Sequence, residues 1–412
     1  GHECDLAILK VDNQLFWKNV TPLTFSIKQP KLQDTVVVVG YPVGGDNICV
    51  TKGVVSRIGF IKYTHAGESL LGIQIDAAIN SGNSGGPTMC GNEVIGVAFS
   101  GLGGTQNIGY IIPNMILNHF LNDIELHGKY TSFPKLGIQW QKIESKHLKE
   151  YLKMNSDTNE GVLILKPYTL HNSYKVLKKG DVLLKIDNVS IGEDGTIPYM
   201  DGSRISFNYL TIQKFVGDTV KLEILRDGVL MNIDLIVTPI PYLVPLHLHD
   251  ILKPKYFIFG GLVFVSLSVP YLKTRFGNGW ISKCSVKYLE SYYSQKENNN
   301  DEIVVLSCVL AHDINFGYHK WKDRVLLRCN DIEIKNLKQL CNVIDNATTK
   351  HIEFALWQDL YLVLNRQICI DNLNDILKQQ QIKHDRSENL RNNIINDDIK
   401  DDIITSNNNN NN

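Results

Sequence analysis

The stretch Asn80-Ser81-Gly82-Asn83-Ser84-Gly85-Gly86-Pro87 sets one serine hydroxyl among small residues. Gly82 allows a sharp backbone turn, which only a residue without a Cβ makes cheaply. The turn Gly82-Asn83-Ser84 can aim backbone N–H groups, above all those of Gly82 and Ser84, at one point where an oxyanion would form. Gly85 and Gly86 leave room for a substrate carbonyl beside Ser84 Oγ, and Pro87 stiffens the exit into the next strand. Asn, Gly and Ser are also ordinary residues of a β-turn that does no chemistry. The octapeptide alone leaves both readings standing, and its surroundings decide between them.

Those surroundings are β-rich. Residues 1 to about 116 carry short runs such as Asp34-Thr35-Val36-Val37-Val38-Val39-Gly40 and Ile48-Cys49-Val50-Thr51-Lys52-Gly53-Val54-Val55 between glycine turns. This spacing predicts an all-β barrel or sandwich. Met115 to Leu126 is apolar at helical intervals, which predicts a helix ending near Gly128. Lys129 to Pro134 reads as a linker. From about 135 to 240, Gly161-Val162-Leu163-Ile164-Leu165 is a strand, and Leu177-Lys178-Lys179-Gly180-Asp181-Val182-Leu183 is a glycine turn feeding another. Asp227-Gly228 suits the type I′ turn of a hairpin. Residues 255 to 370 repeat this plan in degenerate form: Glu302 to Ser307 matches the first strand, and Lys322 to Asn330 matches the Gly-Asp strand, with lysine where glycine stood. Asn336-Leu337-Lys338-Gln339-Leu340 opens the helix that follows. From 371 onward Asn, Asp, Lys and Gln dominate, and the chain ends in polyasparagine. Such a composition buries too little apolar surface to offset ordering entropy, so disorder is expected from about residue 385.

The 412 residues call for two or three domains. A hydrophobic fraction of 43% and a charged fraction of 21% are those of a soluble globular protein. A net charge of −1 gives no electrostatic footprint for nucleic acid. The eight cysteines are scattered, with no Cys-x-x-Cys pair and no histidine at metal-ligand spacing. They read as reduced, which favours an intracellular compartment, although sequence leaves a pairing open. The run Tyr256 to Leu272 matches the shortest membrane-spanning helices in length. Its Gly260, Gly261, Ser266, Ser268 and Pro270, and its Val and Phe content, predict a buried strand and preceding loop instead. The chain opens Gly1-His2-Glu3 without methionine, so a processed or incomplete N-terminus is expected and targeting is not legible.

Five segments resemble, in order, the Deg/HtrA serine proteases, a chymotrypsin-like family with C-terminal PDZ domains. They are Asp5-Leu6-Ala7-Ile8-Leu9, Gly40-Tyr41-Pro42, Gly53-Val54-Val55-Ser56, Gln74 to Pro87, and Asn107-Ile108-Gly109-Tyr110-Ile111-Ile112-Pro113. Leu136-Gly137-Ile138-Gln139-Trp140, Asp194-Gly195-Thr196-Ile197-Pro198 and Phe264 to Leu272 are similar to the plant and protozoan branch. The resemblance covers nearly all of residues 2 to 370 and none of the tail. It implies a mainly β protein: a chymotrypsin-like double β-barrel whose N-terminal part is missing, followed by two PDZ-like α+β domains. The implied domains are a partial trypsin-like serine protease domain at 1–128, a PDZ domain at 135–240 and a second, degenerate PDZ-like domain at 250–370. A low-complexity Asn-rich tail, largely disordered, would fill 371–412. In this context the Ser84 turn reads as a nucleophile site.

A serine hydroxyl needs an adjacent base, itself oriented by a third group. The resemblance implies the order His, Asp, Ser, and Asp5 matches the aspartate. The histidine of that order falls upstream of Gly1, so residues 1–412 alone are expected to be inert. His2 and Asp5 are three apart and would point to opposite faces of a strand. His65, after the aspartate, would make a triad foreign to the family. The S1 pocket is implied around Ile79, Asn80, Val97, Ala98, Phe99 and Ile108, and the oxyanion hole at Gly82, Asn83 and Ser84. No aspartate lies in that pocket, so a small or medium apolar P1 residue is expected. Leu136-Gly137-Ile138 fits the loop where a PDZ domain takes a terminal carboxylate while the peptide adds as a strand; a plain strand start is the other reading. Phe259-Gly260-Gly261-Leu262 is its counterpart. The function implied is an ATP-independent serine endopeptidase of protein quality control. It would act on unfolded or misfolded polypeptides as a trimer-based homo-oligomer, with no metal, organic cofactor, nucleic acid or membrane span. The alternative is a catalytically silent PDZ scaffold or chaperone on the same fold.

Overall fold

In the computed structural model, which describes residues 1–42, 47–63, 66–80, 82–101, 108–155, 157–247 and 254–391, seven strands precede residue 114. They are β1 (Thr24–Phe25), β2 (Thr35–Gly40), β3 (Cys49–Lys62), β4 (Ser69–Ile75), β5 (Pro87–Cys90), β6 (Glu93–Gly101) and β7 (Gly109–Pro113). The order β6-β5-β2-β3-β4-β7, with β7 pairing back onto β6, closes a six-strand barrel. Every pairing in the ring is antiparallel. Alternation in sequence drives it: in β2, Val36 and Val38 are buried while Val37 and Val39 are half-buried, the period of two of a strand. Val36, Val38, Val55, Ile73, Ile75 and Ile95 fill the interior. The segment Asp5 to Leu9, strand-like in sequence, pairs with none of these strands and leaves Leu9 89% exposed.

Helix α1 (Asn114–His127) leaves β7 and ends at Gly128, whose left-handed φ of 70° lets its N–H reach the Ile124 carbonyl. Beyond residues 129–134 come β8 (Ile138–Lys142), α2 (Lys146–Tyr151), β9 (Val162–Pro167), α3 (Ser173–Val176), β10 (Val182–Ile186) and β11 (Val189–Ser190). They are followed by β12 (Thr196–Pro198), β13 (Arg204–Ser206), α4 (Asn208–Thr211), β14 (Thr219–Arg226) and β15 (Val229–Ile236). The sheet runs β15-β14-β10-β9-β8, with β11 on β10. Asp227 (φ 51°) and Gly228 (φ 85°) close the β14–β15 hairpin, both left-handed as a type I′ turn requires. Asp181, 1% exposed, holds Arg226 by two bonds of 2.7 and 2.6 Å. The Gly-Asp strand and the Arg-Asp-Gly turn thus meet in one ion pair. Barrel and first PDZ-like sheet form one body, Gly1–Ile240; a second begins at Pro241.

The second body contains β16 (Tyr256–Phe259), β17 (Leu262–Ser266), α5 (Val269–Phe276), α6 (Trp280–Lys283), α7 (Val286–Tyr293), β18 (Val304–Val309), β19 (Arg324–Cys329) and β20 (Ile332–Glu333). Then come α8 (Leu337–Asp345), β21 (His351–Leu356), β22 (Leu360–Asn365), α9 (Arg366–Asp371), α10 (Leu373–Gln379) and α11 (Glu388–Arg391). Strands β17-β18-β19-β21-β22, with β20 on β19, repeat the order β8-β9-β10-β14-β15. The apolar run Tyr256 to Leu272 is a hairpin and the start of α5, which Ser268 caps. Among the described residues no helix is long and apolar enough to cross a membrane.

Order extends past the expected boundary at 371. Ile376 and Leu377 of α10 are buried, and Arg386 holds Asp345 through both guanidinium nitrogens at 2.6 and 2.9 Å. Two buried apolar residues anchor a helix that the polar composition hides. The polyasparagine run lies outside the described residues.

Candidate active site

The Ser84 turn is clamped from both sides. The Gly85 N–H donates to the Ala98 carbonyl (2.7 Å), and the Ala98 N–H returns to the Gly86 carbonyl (2.9 Å). The Gly86 N–H closes on the Asn83 carbonyl and the Asn83 N–H on the Asn80 carbonyl, both at 3.0 Å. Gly82 sits at φ 105°, and a Cβ there would meet the Tyr41 carbonyl and the Pro42 Cα. Around Gly85 a Cβ would find open space. Ser84 is exposed at the apex. Neither the Gly82 nor the Ser84 N–H donates to another described backbone group, whereas the Asn83 N–H is taken by the Asn80 carbonyl. The Asn83 amide is buried with neither atom partnered among the described residues, a desolvation cost carried directly beneath the serine.

Ser84 Oγ donates to the Phe99 carbonyl at 3.4 Å and to no histidine among the described residues. The β6–β7 register shifts between Ala98 and Ser100, and a bulge of this kind re-aims the backbone beside a site. The Phe99 ring packs on Tyr63 with centroids 4.8 Å apart. Burial, then the neighbouring Cys4 and Asp5, push the Tyr63 phenol well above its ordinary range. Tyr63 thus packs on the ring of the residue whose carbonyl accepts from Ser84 Oγ. Asp5 is half-buried at φ 55° in a turn, not a strand, with its N–H toward the His2 carbonyl (3.4 Å). The opposite-face argument for His2 therefore loses its premise. His65 lies outside the described residues.

The six expected pocket residues divide. Ile79, Val97, Phe99 and Ile108 are half-buried and Asn80 is exposed. Ala98 is fully buried in the barrel core, so it contributes backbone and not a pocket wall.

In the first PDZ-like sheet Leu136, Gly137 and Ile138 line a cavity of about 180 Å³ together with Leu70, Trp140 and Phe207. Gly137 (φ 64°) has its carbonyl drawn inward by the Tyr168 N–H (2.9 Å) and by Ser173 Oγ (2.6 Å). A Cβ at 137 would run into the His171 ring. His171 accepts the Ser173 N–H at Nδ1 (3.0 Å) and so donates from Nε2 to the Thr238 carbonyl (3.1 Å); burial lowers its pKa. Sequence reading missed His171 and Ser173, because no local motif marks a support that lies more than thirty residues from its loop.

The counterpart in the second body differs. Gly260 (φ 54°) and Gly261 (φ 82°) form a tight hairpin turn, pinned by Asn315 Nδ2 donating to the Gly260 carbonyl at 2.9 Å. Strand β16 pairs with Leu262–Val265 of β17, along the edge to which a peptide would add. Phe259-Gly260-Gly261-Leu262 is therefore not an open carboxylate loop.

Two protein families match parts of the chain. Residues 1–97 match the trypsin-like peptidase domain family, and residues 244–389 match the PDZ domain family. The chain is 42% identical to Arabidopsis thaliana Protease Do-like 2, chloroplastic, over 95% of its own length and 64% of the relative's. It is 40% identical to Protease Do-like 4, mitochondrial, of the same plant, over 89% of this chain and 67% of the relative. A serine protease DegP homolog of Plasmodium falciparum is 28% identical over 84% of this chain and half of its own length. The chain thus spans about two thirds of the plant relatives it matches.

Proposed function

Because this chain belongs to the Do-like, or Deg/HtrA, family of proteases, we propose that it forms part of an ATP-independent serine endopeptidase of protein quality control. Ser84 is the nucleophile. The Gly82 and Ser84 N–H groups receive the oxyanion, and Asp5 orients a histidine base. The pocket bordered by Ile79, Val97, Phe99 and Ile108 takes a small or medium apolar P1 side chain. The carrying observation is an exposed serine in a clamped turn whose two flanking N–H donors have no described backbone acceptor.

The chemistry sets one requirement on the resting hydroxyl. A carbonyl accepts a hydrogen bond but cannot take a proton at neutral pH, so Ser84 Oγ must swing from the Phe99 carbonyl to a base before attack. The first PDZ-like groove, in a domain at 135–240, binds extended chain termini, and a second PDZ-like domain begins near 250 and runs past 370. Trimer-based assembly is proposed with it. In the full-length protein, unfolded casein should be degraded, and Ser84→Ala should abolish this, since losing a triad member costs several orders of magnitude in rate. Equal activity of Ser84→Ala would defeat the assignment.

One observation favours a second reading, a silent PDZ scaffold or chaperone: the Ser84 hydroxyl already has a non-basic partner. Suppression of casein aggregation without cleavage by the full-length protein would select it.

A further inference from the structure

Two residues before Asp5 stands Glu3, a carboxylate only 1% exposed. Removing such a group from water is costly unless donors replace its hydration. Three described donors do, and these come from one segment. Tyr130 Oη (2.9 Å), Ser132 Oγ (2.5 Å) and the Phe133 N–H (3.1 Å) converge on Glu3 Oε2. That segment, residues 129–134, joins α1 to the first PDZ-like sheet. Ser132 is held at φ 87°, a left-handed backbone that a residue with a side chain rarely adopts and that persists only where its surroundings fix it. Its hydroxyl and the N–H that follows it are the groups bonded to Glu3.

Both ends of this tie are anchored. Phe133 is fully buried, and its ring stacks on His119 at 4.1 Å. His119 stacks in turn on Phe215, between α4 and β14, at 4.7 Å. On the other side, the Asp5 N–H meets the His2 carbonyl and the Leu6 N–H meets the Gly1 carbonyl (3.2 Å). Glu3 and Asp5 therefore share one closed turn, with buried Cys4 between them. A shift of the linker moves Glu3, and a shift of Glu3 moves Asp5. Tyr63 and Phe99 continue the packed line to the acceptor of Ser84 Oγ.

We propose that Glu3 is a positioning residue: it ties Asp5 to the linker of the first PDZ-like sheet, so that the catalytic geometry is complete only when the linker is docked on this carboxylate. The proposal rests on the reading of Asp5 and Ser84 as catalytic, and it adds a route by which the PDZ-like sheet acts on that site.

The test uses the full-length protein and a short fluorogenic peptide. Glu3→Gln keeps the side chain's shape but places an amide where three donors converge. It should lower kcat about tenfold to a hundredfold, as a displacement on the order of 1 Å does, with KM changed less than about twofold. Tyr130→Phe removes one donor and keeps the ring, so it should give a smaller loss of the same kind. The double variant should lose less than the product of the two single losses, because the residues share one interaction. Amide exchange should quicken at residues 2–6 and 130–133 in both single variants. Should Glu3→Gln not fold, Tyr130→Phe alone carries the test. Asp5→Asn separates the two claims. Full kcat in Glu3→Gln and Tyr130→Phe beside an inactive Asp5→Asn overturns the tie and leaves the catalytic reading intact. Full activity in Asp5→Asn overturns both. Equal loss of kcat and gain of KM would mark Glu3 as merely structural and also refute the tie.

Discussion

A methyl group at position 82 would meet the Tyr41 carbonyl on backbone held at φ 105°. Gly82→Ala should therefore turn the peptide that offers one of the two N–H groups proposed for the oxyanion. Losing one oxyanion donor costs about a hundredfold to a thousandfold in kcat, and steady-state kinetics on the full-length protein should show that loss with KM nearly unchanged. Gly137→Ala acts elsewhere. Its Cβ would collide with the His171 ring, so binding of a C-terminal carboxylate peptide to the first PDZ-like groove should weaken while cleavage of a short peptide stays intact. Fluorescence anisotropy with such a peptide reads this directly, and unchanged binding would exclude Gly137 from the carboxylate loop. These positions differ in how they were found. The Ser84 turn stands out in sequence because its pattern is local: five consecutive residues supply hydroxyl, turn and N–H groups. Glu3 and His171 do not, because each gains its meaning from partners far along the chain. The Glu3 partners are 127 to 130 residues away, and nothing in His2-Glu3-Cys4 announces them.

The two PDZ-like sheets share strand order but not their stabilising pair. In the first, Asp181 of the Gly-Asp strand is buried against Arg226 of the β14–β15 hairpin. Asp181→Asn should cost about 3–5 kcal/mol, the scale of breaking a buried pair by removing one partner, and urea melts would show it. In the second, the matching Asp323 takes Arg275 Nε (2.8 Å) and Tyr271 Oη (2.6 Å) from α5. The helices between β17 and β18 thus supply what the second hairpin lacks. This explains why the repeat was readable only in degenerate form: aspartate persists, while its partner moved to an insertion. The edges differ as well. Among the described residues no strand pairs with the outer edge of β8, whereas β16 covers β17, and residues 385–387 cover β16 through Ile258 N–H to the Asp385 carbonyl (2.7 Å). Arg386→Ala removes the bidentate grip on Asp345 and should speed amide exchange at 256–259, with a stability loss of roughly 1 kcal/mol. Exchange unchanged there would mean that the Arg386 contact does not hold the cover down. Composition concealed this strap, because two buried apolar side chains, Ile376 and Leu377, outweigh many polar ones only after folding has placed them.

Across the Gly1–Ile240 body, two buried histidines give stability a pH dependence. Burial lowers the pKa of His119 and of His171 from the ordinary 6.5. The unfolded chain then binds protons near pH 6.5 that the folded chain refuses, so stability is complete above about 6.5 and falls as pH drops below it. Each histidine can contribute at most about 1.4 kcal/mol per pH unit through this window. Denaturant melts between pH 7.5 and 5 should show the decline, and His119→Gln should flatten it; a flat profile in the unaltered protein would refute the burial argument. The barrel and both sheets were legible in outline because valine alternation and glycine turns are periodic signals. That the barrel and the first sheet pack as one body was not legible, since it depends on which surfaces meet. Ser84 is the proposed nucleophile, and covalent labelling tests that most directly. The full-length protein treated with a fluorophosphonate and mapped by mass spectrometry should carry one adduct on Ser84, absent from Ser84→Ala. An adduct on a different serine, or casein cleavage that survives with Ser84 unlabelled, would contradict it.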